Sequence, residues 1–269
     1  MYFAIVGENT QESLSPRMHE WIYHTLDLEH QYDAIDISKD NVSNIVNKLK
    51  DGILNGINIT IPYKKDFIDY LDEIDLSASK IGAINCILSN NGILEGYNTD
   101  YFGFDKLISI NNIELNNKII LVLGAGGSSS AICTYLANNN HKFSIFNRTY
   151  SNAKLMIDRI GCSSHANIIQ SSLPECTYEV IINCLPLSVD ISTLLQSIGY
   201  NFQLLDYLID INYHMSNIIS NKIEAQVMIN GLDMLIYQGI RSNEIWLQKD
   251  LEKSIDCSKL HNYLLEDQC

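Results

Sequence analysis

The composition of this 269-residue chain is typical of a globular protein with one large domain or two modest ones, since 46% of the residues are hydrophobic and 19% are charged. The net charge of -14 argues against nucleic acid or an anionic membrane as a partner, because such a surface repels phosphate groups. No apolar run approaches the roughly 20 residues of a membrane span. The seven cysteines form no CxxC pair, the seven histidines are dispersed, and no signal-peptide pattern opens the chain. We therefore expect a cytoplasmic protein without a metal site.

The first hundred residues alternate between strand-like and helix-like patterns. Strands are predicted at 2–6, 32–37, 57–61, 83–88 and 93–97, and helices at 16–26 and 40–49. Pro16 opens the first helix, and Pro62 stops the third strand. Strands separated by helices predict an α/β layer structure.

The pattern resets near Tyr101. A fully apolar stretch at 118–123 predicts a buried parallel strand, and later strands are predicted at 143–146, 179–183 and 203–206. A helix is predicted at 128–138, and the chain is helical again after Gly231. This repetition predicts a Rossmann nucleotide-binding domain over residues 101–231. We expect the other α/β domain to comprise residues 1–100 and a returning helical segment at about 232–269.

A glycine-rich turn joins the strand at 118–123 to the following helix. Gly124, Ala125, Gly126 and Gly127 let the backbone approach a pyrophosphate, and the helix N-terminus offers N–H donors to it. Ser129 stands where a third glycine or alanine is usual and is small enough for that place. The alternative is a tight strand-to-helix turn without a ligand, but the position favours a dinucleotide site.

The residues after the next strand bear on which dinucleotide binds. NAD sites usually carry Asp or Glu there, whereas this chain has Asn147, Arg148 and Thr149. Arg148 offers a partner to a 2′-phosphate, and its neighbours offer further hydrogen bonds. This favours NADP over NAD; the alternative is an ordinary surface arginine at a strand end.

Polar clusters in the first half are more than folding requires. Ser13 and Ser15 precede a predicted helix, where their hydroxyls could hold a carboxylate. The alternative is that Ser15 only caps the helix. Asn58 and Thr60 are two residues apart on a predicted strand, and Lys64 follows its carboxyl end, where α/β sites gather. The alternative for Lys64 is a surface lysine.

A further cluster lies before the second domain. Asp100 ends the run Gly96-Tyr97-Asn98-Thr99-Asp100, and Asn85 lies on an earlier strand. Taken alone, Asp100 could simply cap the next helix. These clusters come in a fixed order along the chain: S-x-S-P, N-x-T-x-P-x-K, the Asn of GAINC, N-T-D, GAGG, NRT and G-L-D-M-L-x-x-Q.

In that order and spacing the chain resembles the shikimate dehydrogenases over nearly its whole length. The resemblance implies an N-terminal α/β substrate-binding domain plus a C-terminal Rossmann domain, and reversible NADPH-dependent reduction of 3-dehydroshikimate to shikimate. It implies that Lys64 and Asp100 are the catalytic pair. It implies that the substrate is bound by Ser13, Ser15, Thr60, Asn85 and Gln238. It implies that the cofactor is bound by Gly124, Ala125, Gly126, Gly127, Asn147, Arg148, Thr149, Gly231 and Met234. Among these, Ser13 and Ser15 would hold the substrate carboxylate, and Met234 would lie near the nicotinamide.

Some positions depart from the family pattern. They are Asn9 in place of Pro, Glu12 in place of His, Asn152 in place of a second basic residue, the 184–188 loop, and Ile209 in place of Tyr. The change at Ile209 removes a hydroxyl expected to contact the substrate. Two alternatives therefore stay open: a quinate/shikimate dehydrogenase that uses NAD or NADP, and a non-catalytic NADP-binding protein. Partners are expected to be small molecules, and the protein to be a monomer or homodimer.

Overall fold

The structure is a computed structural model, which describes residues 1–174, 177–213 and 223–266. The chain divides into two compact units. Unit 1 comprises Met1–Gly103 and Leu235–Cys269, and unit 2 comprises Phe104–Met234. The chain leaves unit 1 within one helix, α4 (Asp100–Ile110), and returns within another, α8 (Leu232–Leu247).

Unit 1 contains one sheet with helices between its strands. Its strands are β1 (Tyr2–Gly7), β2 (Gln31–Asp36), β3 (Gly56–Ile59), β4 (Glu73–Ile74), β5 (Cys86–Asn90) and β6 (Ile93–Tyr97). Its helices besides α4 and α8 are α1 (Ser15–Thr25), α2 (Val42–Lys50), α3 (Leu76–Ile81) and α9 (Cys257–Leu265), with 3-10 turns at Thr10–Glu12, Lys39–Asn41, Ile68–Tyr70 and Glu252–Ser254.

The sheet of unit 1 is mixed. Its strand order is β2-β1-β3-β5-β6-β4. The pairs of β1 with β2 and β3 are parallel, as is the pair of β4 with β6, whereas β5 runs antiparallel to β3 and β6. The central strands are therefore buried, and the carboxyl ends of β1 and β3 lie at the same edge.

Each face of this sheet is covered by apolar side chains. On one side α2 turns Val42, Ile45, Val46 and Leu49 into the core, which is the face that its apolar spacing predicts. Trp246 of α8 stacks on Phe3 of β1 with 4.5 Å between ring centroids, and its indole N–H donates to the Ile87 carbonyl at 2.9 Å. An aromatic ring with a satisfied polar edge thus anchors the returning helix to the sheet.

Unit 2 is a parallel sheet with helices between its strands. Its strands are β7 (Ile120–Leu123), β8 (Phe143–Phe146), β9 (Ala166–Ile169), β10 (Val180–Asn183), β11 (Leu205–Asp210) and β12 (Ala225–Ile229). The helices within it are α5 (Gly127–Asn138), α6 (Tyr150–Ile160) and α7 (Ile191–Ser197). The strand order is β12-β11-β10-β7-β8-β9, and every pair is parallel.

This order is that of a doubly wound Rossmann sheet, which confirms the predicted fold class. The order reverses between β7 and β10, and such a reversal is where these folds bind ligands, beyond the carboxyl ends of the strands. The four residues of β7 and the four of β10 are all buried, as the apolar stretches predict for central parallel strands.

The structure corrects the bounds of several predicted strands. The strand predicted at 83–88 is β5, which runs from Cys86 to Asn90, and the one predicted at 118–123 is β7, which begins at Ile120. The strand predicted at 57–61 ends at Ile59, so that Thr60 lies beyond it, and Ile61 is exposed. The strand predicted at 203–206 is β11, which starts at Leu205 and continues to Asp210. The predicted strand ends at Asp206, and aspartate is a poor strand former. In the structure its carboxylate instead pairs with Lys118 at 2.5 Å.

A histidine is fully buried in unit 1. The ring of His19 stacks on Tyr32 with centroids 3.9 Å apart, and Asn243 Nδ2 lies 2.9 Å from its Nδ1. Burial lowers the pKa of His19 to about 3, because the charged ring would lose its hydration. The folded protein therefore keeps this imidazole neutral at pH 7 and at pH 5.

This predicts a loss of stability on acidification. The unfolded chain binds a proton at the imidazole below about pH 6.5 while the folded chain does not, so the free energy of unfolding should fall by about 2 kcal/mol from pH 7 to pH 5 through His19 alone. Urea unfolding at both pH values measures this. His19→Gln should remove that part of the pH dependence, and His24→Gln, at an exposed position of the same helix, should retain it.

Candidate active site

A largely buried ion pair lies at the carboxyl edge of the unit 1 sheet. Lys64 follows the turn after β3, and Asp100 is the first residue of α4. The ammonium Nζ is 2.5 Å from Asp100 Oδ2, and the two side chains are 14% and 7% exposed. The structure thus brings together the two residues that were predicted as a pair.

Asn85 holds the other oxygen of that carboxylate. Its Nδ2 donates to Asp100 Oδ1 at 2.8 Å and to Thr99 Oγ1 at 3.0 Å, while its Oδ1 accepts the Thr99 N–H at 2.7 Å. Each Asp100 oxygen therefore has its own partner, Lys64 on one side and Asn85 on the other. The pair has one fixed orientation as a result.

The start of α4 is fixed by Asn98. Its Oδ1 accepts the backbone N–H of Asp100 at 3.1 Å and of Tyr101 at 3.4 Å, and its Nδ2 donates to the Ala83 carbonyl at 2.8 Å. Asparagine is favoured at this place because its short side chain satisfies N–H groups that a helix leaves free. The cap sets the position of Asp100.

The predicted substrate residue Gln238 reaches the same cluster from α8. Its Oε1 accepts a long hydrogen bond of 3.4 Å from Thr99 Oγ1, and its Nε2 donates to the Leu235 carbonyl at 2.9 Å. Ser242, one turn further on, lies 3.4 Å from Thr99 Oγ1 and accepts from Asn58 Nδ2 at 2.8 Å. The α8 side chains thus join the residues beside the ion pair.

The two predicted serines differ in burial. Ser15 is 3% exposed, and its N–H donates to Ser13 Oγ at 3.1 Å. Burial raises the pKa of Tyr32, and a hydrogen bond with Ser15 partly opposes that rise. The Tyr32 hydroxyl donates to Asn58 Oδ1 at 2.8 Å, so Ser15 connects through two buried side chains to Ser242. Ser13 and Thr60 are half-buried.

The glycine-rich turn of unit 2 follows β7. Gly124 has φ +104, which disfavours a side chain, and a Cβ there would lie 3.2 Å from the Cys184 carbonyl oxygen. A Cβ on Gly126 would meet no atom within 4 Å, so open space adjoins the start of α5. The Gly126 N–H donates to Ser129 Oγ at 3.2 Å. Gly127 begins the helix, and Ala125 is half-buried.

Residues after β8 and before α8 complete this edge of unit 2. Asn147 Nδ2 donates to the Thr149 carbonyl at 2.9 Å, and Arg148 and Thr149 are exposed. Gly231 is buried against the Ile211 carbonyl, where a Cβ would clash, and its N–H donates to the Asn212 carbonyl at 3.0 Å. Met234, in the first turn of α8, is buried.

Comparison with known proteins identifies the family. Residues 5–87 match the shikimate dehydrogenase substrate binding domain, and residues 106–185 match shikimate / quinate 5-dehydrogenase. The shikimate dehydrogenase (NADP(+)) of Clostridium beijerinckii is 32% identical over 94% of each chain, and that of Nitrosopumilus maritimus is 35% identical over 91% of this chain and 92% of its own. The chain belongs to the shikimate dehydrogenase family.

Solved structures of shikimate dehydrogenases have the same architecture. The Aquifex aeolicus structure matches with a TM-score of 0.81 and 27% identity, over 99% of this chain and 98% of that one. The Thermus thermophilus structure, solved in complex with NADP(H) and shikimate, matches with a TM-score of 0.79 and 25% identity, over 98% of both chains. No helix in the described part of the chain is long and apolar enough to cross a membrane.

Sequence reasoning did not single out every polar residue of the cluster. Asn58 and Thr99 lie within the sequence motifs but have no predicted role, and no motif includes Ser242. The signal for Ser242 is its spacing of four from Gln238, which puts both on one helix face. The family's tyrosine position, Ile209, is fully buried within β11.

Proposed function

We propose that this protein is a shikimate dehydrogenase, which reduces 3-dehydroshikimate to shikimate with NADPH and catalyses the reverse oxidation. The observation that carries this is the buried Lys64–Asp100 pair, in a chain whose relatives are named shikimate dehydrogenase (NADP(+)). The reaction needs hydride transfer to a carbonyl and a proton for its oxygen. The pair offers the second of these, and unit 2 offers a place for the cofactor.

The dinucleotide fits the turn after β7. The open space at Gly126 and the N–H groups at the start of α5 suit a pyrophosphate, with Gly124, Ala125 and Gly127 forming the rest of the turn. Arg148, with Asn147 and Thr149, would hold the 2′-phosphate of NADP, and Gly231 and Met234 would hold the nicotinamide end. When bound, NADPH supplies the hydride.

Lys64 is proposed as the proton donor in the reduction. As hydride reaches the carbonyl carbon, negative charge develops on the oxygen, and a nearby ammonium stabilises that charge and then gives up a proton. In the oxidation, neutral Lys64 takes the proton from the hydroxyl. Asp100, oriented by Asn85, fixes the ammonium and accepts a hydrogen bond from the reacting hydroxyl.

The remaining predicted residues are proposed to orient the substrate. Ser13 and Ser15 would hold its carboxylate near the start of α1, while Thr60, Asn85 and Gln238 would bind ring hydroxyls. A rigid set of donors and acceptors restricts the ring to one pose, which lowers the entropic part of the barrier. We also propose that the enzyme works in the cytoplasm on free small molecules, as a monomer or homodimer.

The proposal is tested by initial rates of nicotinamide reduction, with shikimate and quinate each combined with NADP and NAD. We expect fast turnover with shikimate and NADP. One matched family model covers shikimate and quinate enzymes alike, and Ile209 lacks the expected hydroxyl. Comparable rates with quinate or NAD would therefore establish the second candidate, a quinate/shikimate dehydrogenase. Cofactor binding without turnover on either substrate would refute both enzymes.

Removal of the proposed proton donor should stop the chemistry and spare the cofactor site. Lys64→Ala is expected to lower kcat about 100- to 10,000-fold, since general acid–base catalysis is worth about that much. NADP affinity, measured by quenching of protein fluorescence, should stay within about twofold because no cofactor contact is lost. Lys65→Ala, at the exposed adjacent position, should keep near-normal kcat. Near-normal turnover in Lys64→Ala would disprove the assignment.

The 2′-phosphate role of Arg148 has a separate test. Arg148→Ala should raise KM for NADP by about 10- to 100-fold, the value of a charge-assisted hydrogen bond, and leave KM for NAD nearly unchanged. Lys142→Ala removes an exposed cation at the opposite end of β8 and should change neither constant. Equal effects of Arg148→Ala on the two cofactors would contradict the role.

A further inference from the structure

A buried carboxylate lies at the carboxyl edge of the unit 2 sheet. Asp210 is the last residue of β11 and is 3% exposed. In the parallel register it is opposite Asn183, the last residue of β10, which is itself opposite Leu123, the last residue of β7. Gly124 follows directly. Asp210 is therefore two strands away from the glycine-rich turn, in the same row.

The partners of Asp210 are amides. Its Oδ1 accepts from the Asn212 N–H at 3.0 Å and from Asn212 Nδ2 at 2.7 Å. Burial raises the pKa of Asp210, while hydrogen bonds from Asn212 and Asn183 oppose the rise. Because Asn183 Oδ1 already accepts the Leu185 N–H at 3.1 Å, the group it can offer to Asp210 is its NH2.

The same two amides hold the backbone of the loop after β10. Asn183 accepts from the Leu185 N–H, and Asn212 Nδ2 donates to the Leu185 carbonyl at 3.0 Å. Cys184 and Leu185 both lie close to Gly124. A Cβ added to Gly124 would be 3.2 Å from the Cys184 oxygen and 3.3 Å from Leu185 Cδ2. The backbone carbonyl of Asn212 also accepts from Gly231.

We propose that Asp210 is a positioning residue for the cofactor, acting through Asn183 and Asn212 to hold the loop after β10 against Gly124 and to hold Gly231. This rests on the proposed function, because it takes Gly124 and Gly231 as parts of the NADP site. A carboxylate suits the place because the described groups that bond to it, from Asn212 and Asn183, are donors, and a carboxylate only accepts.

Substituting an amide tests that requirement for an acceptor. In Asp210→Asn the new carbonyl oxygen still accepts from Asn212, but its NH2 opposes the NH2 of Asn183, which would turn away and release Leu185. Loss of one buried hydrogen bond to a charged group predicts a Kd for NADP about tenfold higher. KM for shikimate at saturating NADP should change less than about twofold, since substrate contacts are untouched.

The reciprocal exchange should restore binding. In Asn183→Asp with Asp210→Asn, residue 183 accepts from both Leu185 and the new amide, so every hydrogen bond is made again. The double variant should bind NADP within about threefold of the wild type.

Asp206→Asn, at the other end of β11, is the matched control. It should keep the wild-type Kd for NADP even if the loss of the ion pair with Lys118 lowers Tm.

The outcomes separate the two proposals. Kd is measured by fluorescence titration with NADP, and Tm is recorded for each variant. Wild-type affinity in Asp210→Asn, or a double variant as weak as the single one, would overturn the positioning role and leave the enzyme assignment intact. A wild-type protein that does not bind NADP would overturn the proposed function and this inference with it.

Discussion

The ion pair of Lys64 and Asp100 is the constraint on which the arrangement of unit 1 depends. Two charges that are almost out of water lose hydration, and their attraction compensates only when the geometry is good and the remaining hydrogen-bonding groups have partners. Asn85 supplies the partner for the second carboxylate oxygen, and Asn98 fixes the helix start that carries Asp100. The buried polar side chains around the pair compensate for the hydration that the two charges lose. The same side chains give the pair one orientation.

A similar logic applies at the carboxyl edge of the unit 2 sheet. Parallel strands that are buried on both faces have apolar side chains along their length. Their polar side chains therefore lie at the strand ends, where the backbone leaves the sheet. Leu123, Asn183 and Asp210 end three adjacent strands in one row, and the loops after the first two touch at Gly124. A Cβ at Gly231 would clash with the Ile211 carbonyl, while at Gly124 the positive φ disfavours a side chain and the Cys184 carbonyl leaves little room for one. The conformation of the glycine-rich turn is thereby constrained by the loop after β10.

Local patterns predicted part of the fold, since period, caps and glycine turns are encoded within short stretches, but they did not predict α6, α7, β9 or β12. The face of α2, the strands β6 and β8, and the pairing of Lys64 with Asp100 agree with expectation. Strand β4, of two residues, is too short to leave a period in the sequence. Ser242 shares a helix face with Gln238 by its spacing of four, but its place in the cluster depends on tertiary contacts with Asn58 and Thr99.

Asp206 and Asp210 show most clearly why the rest could not be predicted. Both are poor strand formers, and β11 contains both because tertiary partners compensate: Lys118 for Asp206 and buried amides for Asp210. A prediction that ends the strand at Asp206 leaves Asp210 outside it. Such a prediction also does not show that Ile209 lies between Ile182 and Ile229 on the two neighbouring strands. In the structure, β11 is apolar at Ile209 and places its carboxylate one residue later. The polar contribution of this strand is therefore at its carboxyl end, where Asp210 bonds Asn212, and Asn212 also bonds the Leu185 carbonyl of the loop that adjoins Gly124.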